Sequence, residues 1–406
     1  MKESNRNYPC VTVTKKAERS IINGHPWVYD TEILRADDAE NGDLMDVRSE
    51  KGAYLGTGIL SIHSKIRIRL LSRNANDVFD ERFFARRIAY AWNYRKTVLN
   101  GDVSACRLIF GEADQFPGLT VDRFSDVLVT QTLSYGIEKR KDLIFPALLR
   151  VLREDGQHIR GIYERNDVAI RKLEGLEEGK GWYRGENGGN DSTKTEITEN
   201  GIRYAVDFEN GQKTGFFLDQ RYNRLAVSRL AKGKKVLDCF THTGSFGLNA
   251  AKGGAQSVVS VDISESACEM ARENAARNQL AVDMQCADVF EYLTELEKSG
   301  KHPYDFIILD PPAFTKSRKT IDSAMRGYKD INYRAMKILP RGGYLATCSC
   351  SHFATEDLFR KMLTDAARDA NVSLRQIECR QQSPDHPILW GVEETNYLKF
   401  FLFQIV

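Results

Sequence analysis

The sequence predicts an α/β protein: a mainly parallel sheet covered on both faces by helices, preceded by a small β module and a small α+β module. Three observations carry that expectation. From residue 236 onward, short apolar runs alternate with stretches of helical periodicity, the pattern of repeated βα units whose ligands lie at the carboxyl ends of the strands. Residues 11–72 show brief alternating segments broken by glycine, such as 53–60 and 66–71, the pattern of a small β domain. Between the two, Pro117 and Gly118 mark a hairpin turn, followed by strand, helix and strand signals. With 406 residues the chain exceeds what one hydrophobic core holds, and the expected division is 1–72, 73–190 and 191–406.

Composition narrows the class. Hydrophobic residues at 42% and charged residues at 28% are ordinary for soluble globular proteins. A net charge of +2 supplies no overall attraction to phosphate, so any nucleic-acid surface must come from local clustering. The eight cysteines form no CxxC pair and have no matching histidine spacing, so neither a metal site nor a disulfide framework is expected, and a reducing cytoplasm suits them. The first residues lack an apolar signal core, and no apolar run reaches the ~20 residues of a membrane span. The expected location is the cytoplasm, without membrane contact.

In the β module, residues 66–71 alternate so that Arg67 and Arg69 share one face while Ile66, Ile68 and Leu70 share the other. That fits a half-buried strand with a solvated face, or arginines laid along a nucleic-acid backbone. Residues 80–99 are helical in pattern, with Arg82, Arg86, Arg87, Arg95 and Lys96 on an amphipathic frame. The hairpin at 107–122 opens the α+β module; a strand at 127–133, a helix at 139–149 and a strand at 161–164 follow. Residues 179–192, rich in Gly, Asn and charge, read as a loop or boundary. Beyond them, strands are expected at 236–240, 258–262, 284–286, 306–309, 343–348 and 397–403, with helices at 246–251 and 265–278.

Two groups of residues carry chemistry. Asp238 closes the first strand of the parallel sheet, and the loop 241–247, with Gly244 and Gly247, lets backbone approach a ligand at a helix amino end, as adenosyl cofactors require. Asp262 ends the next strand, where a carboxylate can accept two hydrogen bonds from a ribose diol. Asp288 follows the third strand beside the adenine position, although it also suits a helix cap. The Gly-x-Gly-x-x-Gly fingerprint is absent, which disfavours NAD. In the second group, Asp310-Pro311-Pro312-Ala313-Phe314 sets an acid beside a rigid turn, a polar pocket for a planar group, and Thr347-Cys348-Ser349-Cys350-Ser351 sets a thiol at the next strand end. Together these point to chemistry on a pyrimidine base, and with the cofactor loop to methyl transfer.

These motifs, with Gly111-Glu112-Ala113-Asp114, Pro117-Gly118-Leu119 and Gly211-Gln212-Lys213-Thr214-Gly215-Phe216-Phe217-Leu218-Asp219-Gln220-Arg221, resemble the class I S-adenosylmethionine-dependent RNA methyltransferases nearly end to end. More specifically, they resemble the bacterial large-subunit (23S) ribosomal RNA cytosine-C5 methyltransferases that carry an amino-terminal PUA domain. The resemblance implies a Rossmann-like methyltransferase domain, S-adenosyl-L-methionine as cofactor and ribosomal RNA as partner. It implies that Asp219, Arg221, Asp238, Phe240, Thr243, Gly244, Asp262, Asp288 and Asp310 line the cofactor and base pockets. The 211–221 block would fold over the methionine end, where Lys213 and Arg221 are able to hold a carboxylate or to form ordinary surface ion pairs. A homodimer is compatible with this reading.

In the implied reaction a thiolate adds to C6 of cytosine, C5 attacks the methyl sulfonium, a base removes the C5 proton and the cysteine is eliminated. The family's Ser-Cys-Ser aligns with Ser349-Cys350-Ser351, which assigns the nucleophile to Cys350 and leaves Cys348 as a strand residue. Asp310 would hydrogen-bond the cytosine edge and supply or hold a proton. Many RNA C5 methyltransferases carry a second cysteine beside this proline motif; here there is none, so product release must use another base. After Phe314 come Lys316, Arg318, Lys319, Arg326, Lys329, Arg334 and Lys337, a solvated helix face or a guide for the RNA backbone, with Phe314 and Tyr328 available for stacking. Two other readings compete: methylation of a nitrogen, for example on guanine, where no cysteine is needed, and a non-catalytic RNA-binding assembly factor.

Overall fold

The computed structural model describes residues 7–315 and 317–406. Its described residues divide into two compact units: the first holds 7–197, 206–218 and 384–395, the second lies within 198–205, 219–383 and 396–406. The β module and the α+β module therefore belong to one unit.

The β module is a six-stranded sheet in the order β2-β6-β5-β4-β1-β3, formed by β1 (Cys10–Val13), β2 (Trp27–Tyr29), β3 (Ile33–Ala36), β4 (Leu44–Ser49), β5 (Tyr54–Leu60) and β6 (Ile66–Ser72). Only β1 and β4 run parallel; the helix α1 (Lys15–Ile22) buries Ala17 and Ile21 against a core containing Val13, Val28, Val47 and Ile68. Ile68 and Leu70 point into that core, as their alternation predicted. Arg69 forms a 2.8 Å ion pair with the buried Glu174, which also accepts from Ser61 at 2.8 Å, and Arg67 bonds the carbonyls of Ser61 and Ile62 in its own turn. A buried carboxylate needs a cation, and Arg69 is that cation. Both arginines are thus held by contacts inside the unit, as the half-buried strand weighed for this segment would have them.

The α+β module opens with α2 (Glu81–Val98), capped by the Asp80 carboxylate on the Phe83 amide at 3.0 Å. Its five-stranded sheet has the order β11-β10-β9-β8-β7: β7 (Ala105–Phe110), β8 (Leu119–Phe124), β9 (Val127–Thr132), β10 (Gly161–Arg165) and β11 (Lys180–Trp182). The short helix α3 (Tyr135–Glu138) and the longer α4 (Lys141–Glu154) make the crossover from β9 to its parallel neighbour β10. The stretch expected as loop at 179–192 supplies the edge strand β11, paired with β10. Arg95, expected on the amphipathic frame of α2, is fully buried instead. Its guanidinium meets the Asp114 carboxylate at 2.7 Å, the Arg107 carbonyl at 2.8 Å and the Asp385 carbonyl at 2.9 Å.

A hairpin, β12 (Lys194–Glu199) and β13 (Ile202–Asp207), contributes residues to both units. The second unit then contains α5 (Arg221–Leu230), β14 (Lys235–Cys239), α6 (Ser245–Lys252), β15 (Ser257–Asp262), α7 (Glu265–Asn278), β16 (Asp283–Cys286), α8 (Val289–Ser299), β17 (Phe306–Leu309), α9 (Ile321–Ile338), β18 (Tyr344–Ser349), α10 (Glu356–Ala370), β19 (Leu374–Arg380) and β20 (Lys399–Ile405). The seven-stranded sheet has the order β16-β15-β14-β17-β18-β20-β19, parallel except for β20, which lies antiparallel between β18 and β19. The direction of strand order reverses between β14 and β17, so the carboxyl ends of those strands form the crevice in which such sheets bind ligands. The apolar strands are buried on both faces: Leu237, Ile307 and Leu345 on one side, Val236, Ile308 and Ala346 on the other.

Removing Arg95 tests the polar centre of the first unit. Arg95→Leu leaves Asp114 buried without its cation and is expected to lower stability by about 3–5 kcal/mol, read by urea unfolding of the whole chain. A loss no larger than that of an exposed arginine such as Arg82 would mean that Asp114 finds another partner.

Candidate active site

The loop between β14 and α6 is held from beneath by one carboxylate. Asp238 is 0% exposed; its Oδ2 accepts from the Gly247 amide at 2.8 Å, the Thr241 hydroxyl and, more distantly, the Ser260 hydroxyl. Burial, with Asp310 and Asp262 nearby, pushes its pKa up to about 7 against the lowering effect of those donors. Gly247 has to be glycine, since a Cβ there would come within 2.3 Å of the Ser260 hydroxyl and 3.1 Å of the Asp238 carboxylate. Above this anchor, Phe240 and His242 adopt left-handed conformations (φ 62° and 50°), strained for residues with side chains, and Gly244 does so freely at φ 81°. Thr243 is buried, and its carbonyl accepts from Asn274.

The His242 amide donates to Asp262 Oδ2 at 2.9 Å and the Ser264 amide to Oδ1 at 3.0 Å, so the acid at the end of β15 is fixed while half-exposed. Each of its oxygens takes a single amide, which leaves each a lone pair for a hydroxyl. The residues present therefore fit the ribose of an adenosyl cofactor. Asp288 is the amino-terminal cap of α8, accepting from the Phe290 and Glu291 amides at 2.7 and 3.2 Å through one oxygen. The capping role weighed for it is the one its geometry displays. Phe240, Phe290 and Phe314 stand edge-on or tilted, with centroids 5.9–6.5 Å apart, an apolar wall beside Asp262 and Asp288 in the chain.

Two of the expected cofactor residues are buried beside other side chains. Arg221 lies against Glu199, which has no exposure and also pairs with Arg224 at 2.5 Å. Asp219 is buried too, its Oδ2 accepting from the Tyr397 phenol at 2.6 Å.

Asp310 follows β17, and Gln220 donates to its Oδ1 at 3.0 Å. Burial, then the Asp219 charge, raise its pKa to about 6, against the lowering effects of Arg224, the Cys348 thiol and Gln220. The two cysteines of β18 and its end part company. Cys348 is sealed in the sheet beside Asp310 and Gln220, and burial together with the Asp310 charge drives its thiol well above the ordinary range. Cys350, past the last strand residue, is half-buried. Around it lie Tyr328, read from the sequence as a stacking ring, and Lys399, which the sequence motifs did not reveal. Tyr328 of α9 is fully buried and exchanges hydrogen bonds with the Ser349 and Ser351 hydroxyls at 3.1 and 3.0 Å. Lys399, the first residue of β20, sits opposite Ser349 and donates to the Ser351 and Tyr397 carbonyls at 2.7 and 2.9 Å. Burial pushes its ammonium down to about 8. A lysine opening a run of four apolar residues on an inner strand was the available signal.

Of the two rings expected to stack, Tyr328 is enclosed, while Phe314 is half-buried and tilted against Tyr328, centroids 4.6 Å apart. Of the basic run, Lys329 pairs with Asp369 at 2.6 Å and Arg334 with Asp330 and Glu297. Arg318 and Lys319 are exposed, and Lys316 lies outside the described residues.

A cofactor loop, an acid at the end of the following strand and an acid–thiol pair at the switch point define a methyltransferase site. In agreement, residues 180–404 match the S-adenosylmethionine-dependent methyltransferase family and residues 11–73 the PUA-like domain. The chain is 41% identical over 397 residues to Ribosomal RNA large subunit methyltransferase I of Aeromonas salmonicida, covering 96% of this chain and 97% of that one. It is 43% identical over 388 residues to the protein of the same name from Shewanella denitrificans, covering 94% and 96%. A Streptococcus mutans protein assigned as an S-adenosylmethionine-dependent methyltransferase shares the fold at TM-score 0.80 and 24% identity, with 97% and 99% of the chains covered. SMU.776, solved with S-adenosylhomocysteine, does so at TM-score 0.82, with the same identity and coverage. The chain belongs to the S-adenosylmethionine-dependent methyltransferase family, on the branch whose members are called Ribosomal RNA large subunit methyltransferase I. Among the described residues no helix is long and apolar enough to cross a membrane.

The raised Asp310 pKa makes stability depend on pH. Its folded value lies above its unfolded one, so its contribution is full below about pH 4 and is lost as pH rises through about 6. Asp310→Asn, which keeps an acceptor for Gln220, is therefore expected to gain roughly 1–3 kcal/mol on the parent between about pH 5 and pH 8. Melting midpoints of cofactor-free protein across that range check it; a pH-independent difference would mean that Asp310 is ordinary in the fold.

Proposed function

We propose that the protein methylates C5 of a cytosine in large-subunit (23S) ribosomal RNA, acting in the cytoplasm, through a covalent bond to Cys350. The observation that carries this reading is the division of labour between the two thiols: Cys348 is sealed in the sheet while Cys350 stands half-exposed at the strand end next to the Asp310 strand. The names of the relatives supply the substrate class. When bound, S-adenosylmethionine would supply an electrophilic methyl group, and Asp262 and the loop 240–244 are the residues that would hold it. Cys350 adds as thiolate to C6 of the base, C5 becomes nucleophilic and takes up the methyl group, the C5 proton leaves, and the carbon–sulfur bond breaks with its electron pair returning to sulfur. Asp310, with a pKa near 6, is suited to hold or release a proton on the edge of the base at neutral pH. A base inside such a pocket has to leave its stack, and the exposed Arg318 and Lys319 would meet the backbone on either side of it.

Asp262→Ala removes the acceptor of two ribose hydroxyls and is expected to weaken S-adenosylmethionine binding by about 1.5–3 kcal/mol per hydrogen bond lost. Calorimetric titration reads this directly, and unchanged affinity would exclude Asp262 from the pocket.

With RNA containing 5-fluorocytosine at the target, the C5 substituent cannot leave as a proton, so the parent protein is expected to form an RNA adduct that survives denaturation. Cys350→Ala should lose both adduct and turnover, and Cys348→Ala should keep both, slowed by the lost packing against Asp310. If Cys348→Ala fails and Cys350→Ala works, the two thiols are exchanged; if neither change matters, methylation falls on a nitrogen.

A further inference from the structure

The second unit buries a cation that the reaction above leaves unused. Lys399 is 6% exposed, yet its ammonium is held by two backbone carbonyls, those of Ser351 and Tyr397, and among the described residues it has no carboxylate in ion-pair contact. A buried ammonium normally has an anionic partner, and a lysine serving only to satisfy two carbonyls is an expensive substitute for a neutral donor. One of those carbonyls belongs to the residue directly after Cys350, and the antiparallel register places Lys399 opposite Ser349, directly before it. The lysine is thus fastened to the short segment that carries the nucleophile.

We infer that Lys399 is the counter-ion of the Cys350 thiolate, a positioning residue that keeps the sulfur ionised for attack on C6 and receives it again as leaving group. This rests on the C5 reading for its chemical purpose. The acidic groups facing Lys399 are the Cys350 thiol and the Glu356 carboxylate, Cys350 acting the more strongly. Glu356 is taken up by Arg360 at 2.7 Å. Cys350 in turn is faced by the Tyr328 phenol and the Cys348 thiol, both neutral at physiological pH because their own ionisation is pushed upward. Lys399 therefore brings a positive charge to Cys350. On ionisation the S–H bond of Cys350 breaks and its proton passes to bulk water; Lys399 keeps its own three protons, two of them in the carbonyl bonds. No electrons are exchanged. In the elimination step the electron pair of the carbon–sulfur bond returns to the sulfur beside the same ammonium.

The test reads the thiol without RNA or turnover. Full-length protein is alkylated with iodoacetamide across a pH series, and labelling at Cys350 is followed by fragment-ion mass spectrometry, which separates it from Cys348 on the same peptide. In the parent, the midpoint should lie below the ~8.5 of an ordinary thiol. Lys399→Met should raise it, cutting the Cys350 alkylation rate at neutral pH by about tenfold, and Lys399→Arg should restore most of the rate. A parent midpoint at or above that of an ordinary thiol overturns the inference, and this holds even if Lys399→Met does not fold. Equal midpoints in the parent and a folded Lys399→Met overturn it as well. The 5-fluorocytosine adduct separates the two claims: an adduct with an unshifted thiol leaves the C5 reading and removes Lys399, whereas a shifted thiol with no adduct leaves the ion pair and removes the C5 reading.

Discussion

The Asp238 carboxylate is the constraint on which the site depends. It is buried where charge is costly, and the Gly247 amide and Thr241 hydroxyl offset only part of that cost, as its raised pKa records. What it fixes is the path of the chain from β14 into α6. That path carries Phe240 and His242 through left-handed conformations of about 1–3 kcal/mol each. The His242 amide then orients Asp262 on the neighbouring strand. One carboxylate under the loop therefore sets, in two steps, the acid proposed to hold the cofactor ribose.

Charge burial recurs as a building method. In the second unit Glu199 gathers Arg221 and Arg224; in the first, Asp114 holds Arg95 and Glu174 holds Arg69. Each group fixes the relative placement of elements by geometry that few other side chains reproduce, because a displaced partner leaves an uncompensated charge. The same rule distinguishes the cation of β20. Glu199, Asp114 and Glu174 are each answered by a guanidinium, but Lys399 is answered by carbonyls, and the acid facing it most strongly is a thiol.

Much of the second unit was legible in the sequence. The strands β14 to β18 and the helix α7 lie within a residue or two of where the apolar runs end, since βα periodicity and strand-terminal acids are local signals. The acids Asp238, Asp262 and Asp310 lie at or directly after the carboxyl ends of β14, β15 and β17. What was hidden depends on distant partners. Arg69, Arg95 and Arg221 look like surface charges until the acids that claim them, more than twenty residues away or on another element, are brought up by the fold. Tyr328 looks available for stacking until Ser349 and Ser351 close on its hydroxyl. Lys399 is far in sequence from both cysteines and reaches them only because β20 runs antiparallel beside β18, a pairing that no local pattern encodes.

The segment 384–395 belongs to the first unit although the chain on both sides of it belongs to the second, and the β12–β13 hairpin divides in the same manner. The polypeptide passes between the units five times. A fragment cut at residue 191, as a domain-by-domain reading would cut it, keeps Asp385 and His386 but discards Arg107, whose amide binds the Asp385 carboxylate, and Arg95, whose guanidinium binds the Asp385 carbonyl. During synthesis the same wiring means that the amino-terminal unit cannot complete its interior when its own sheets have emerged. It has to wait for a dozen residues encoded almost two hundred positions later, so its interior closes only after most of the second unit has been translated.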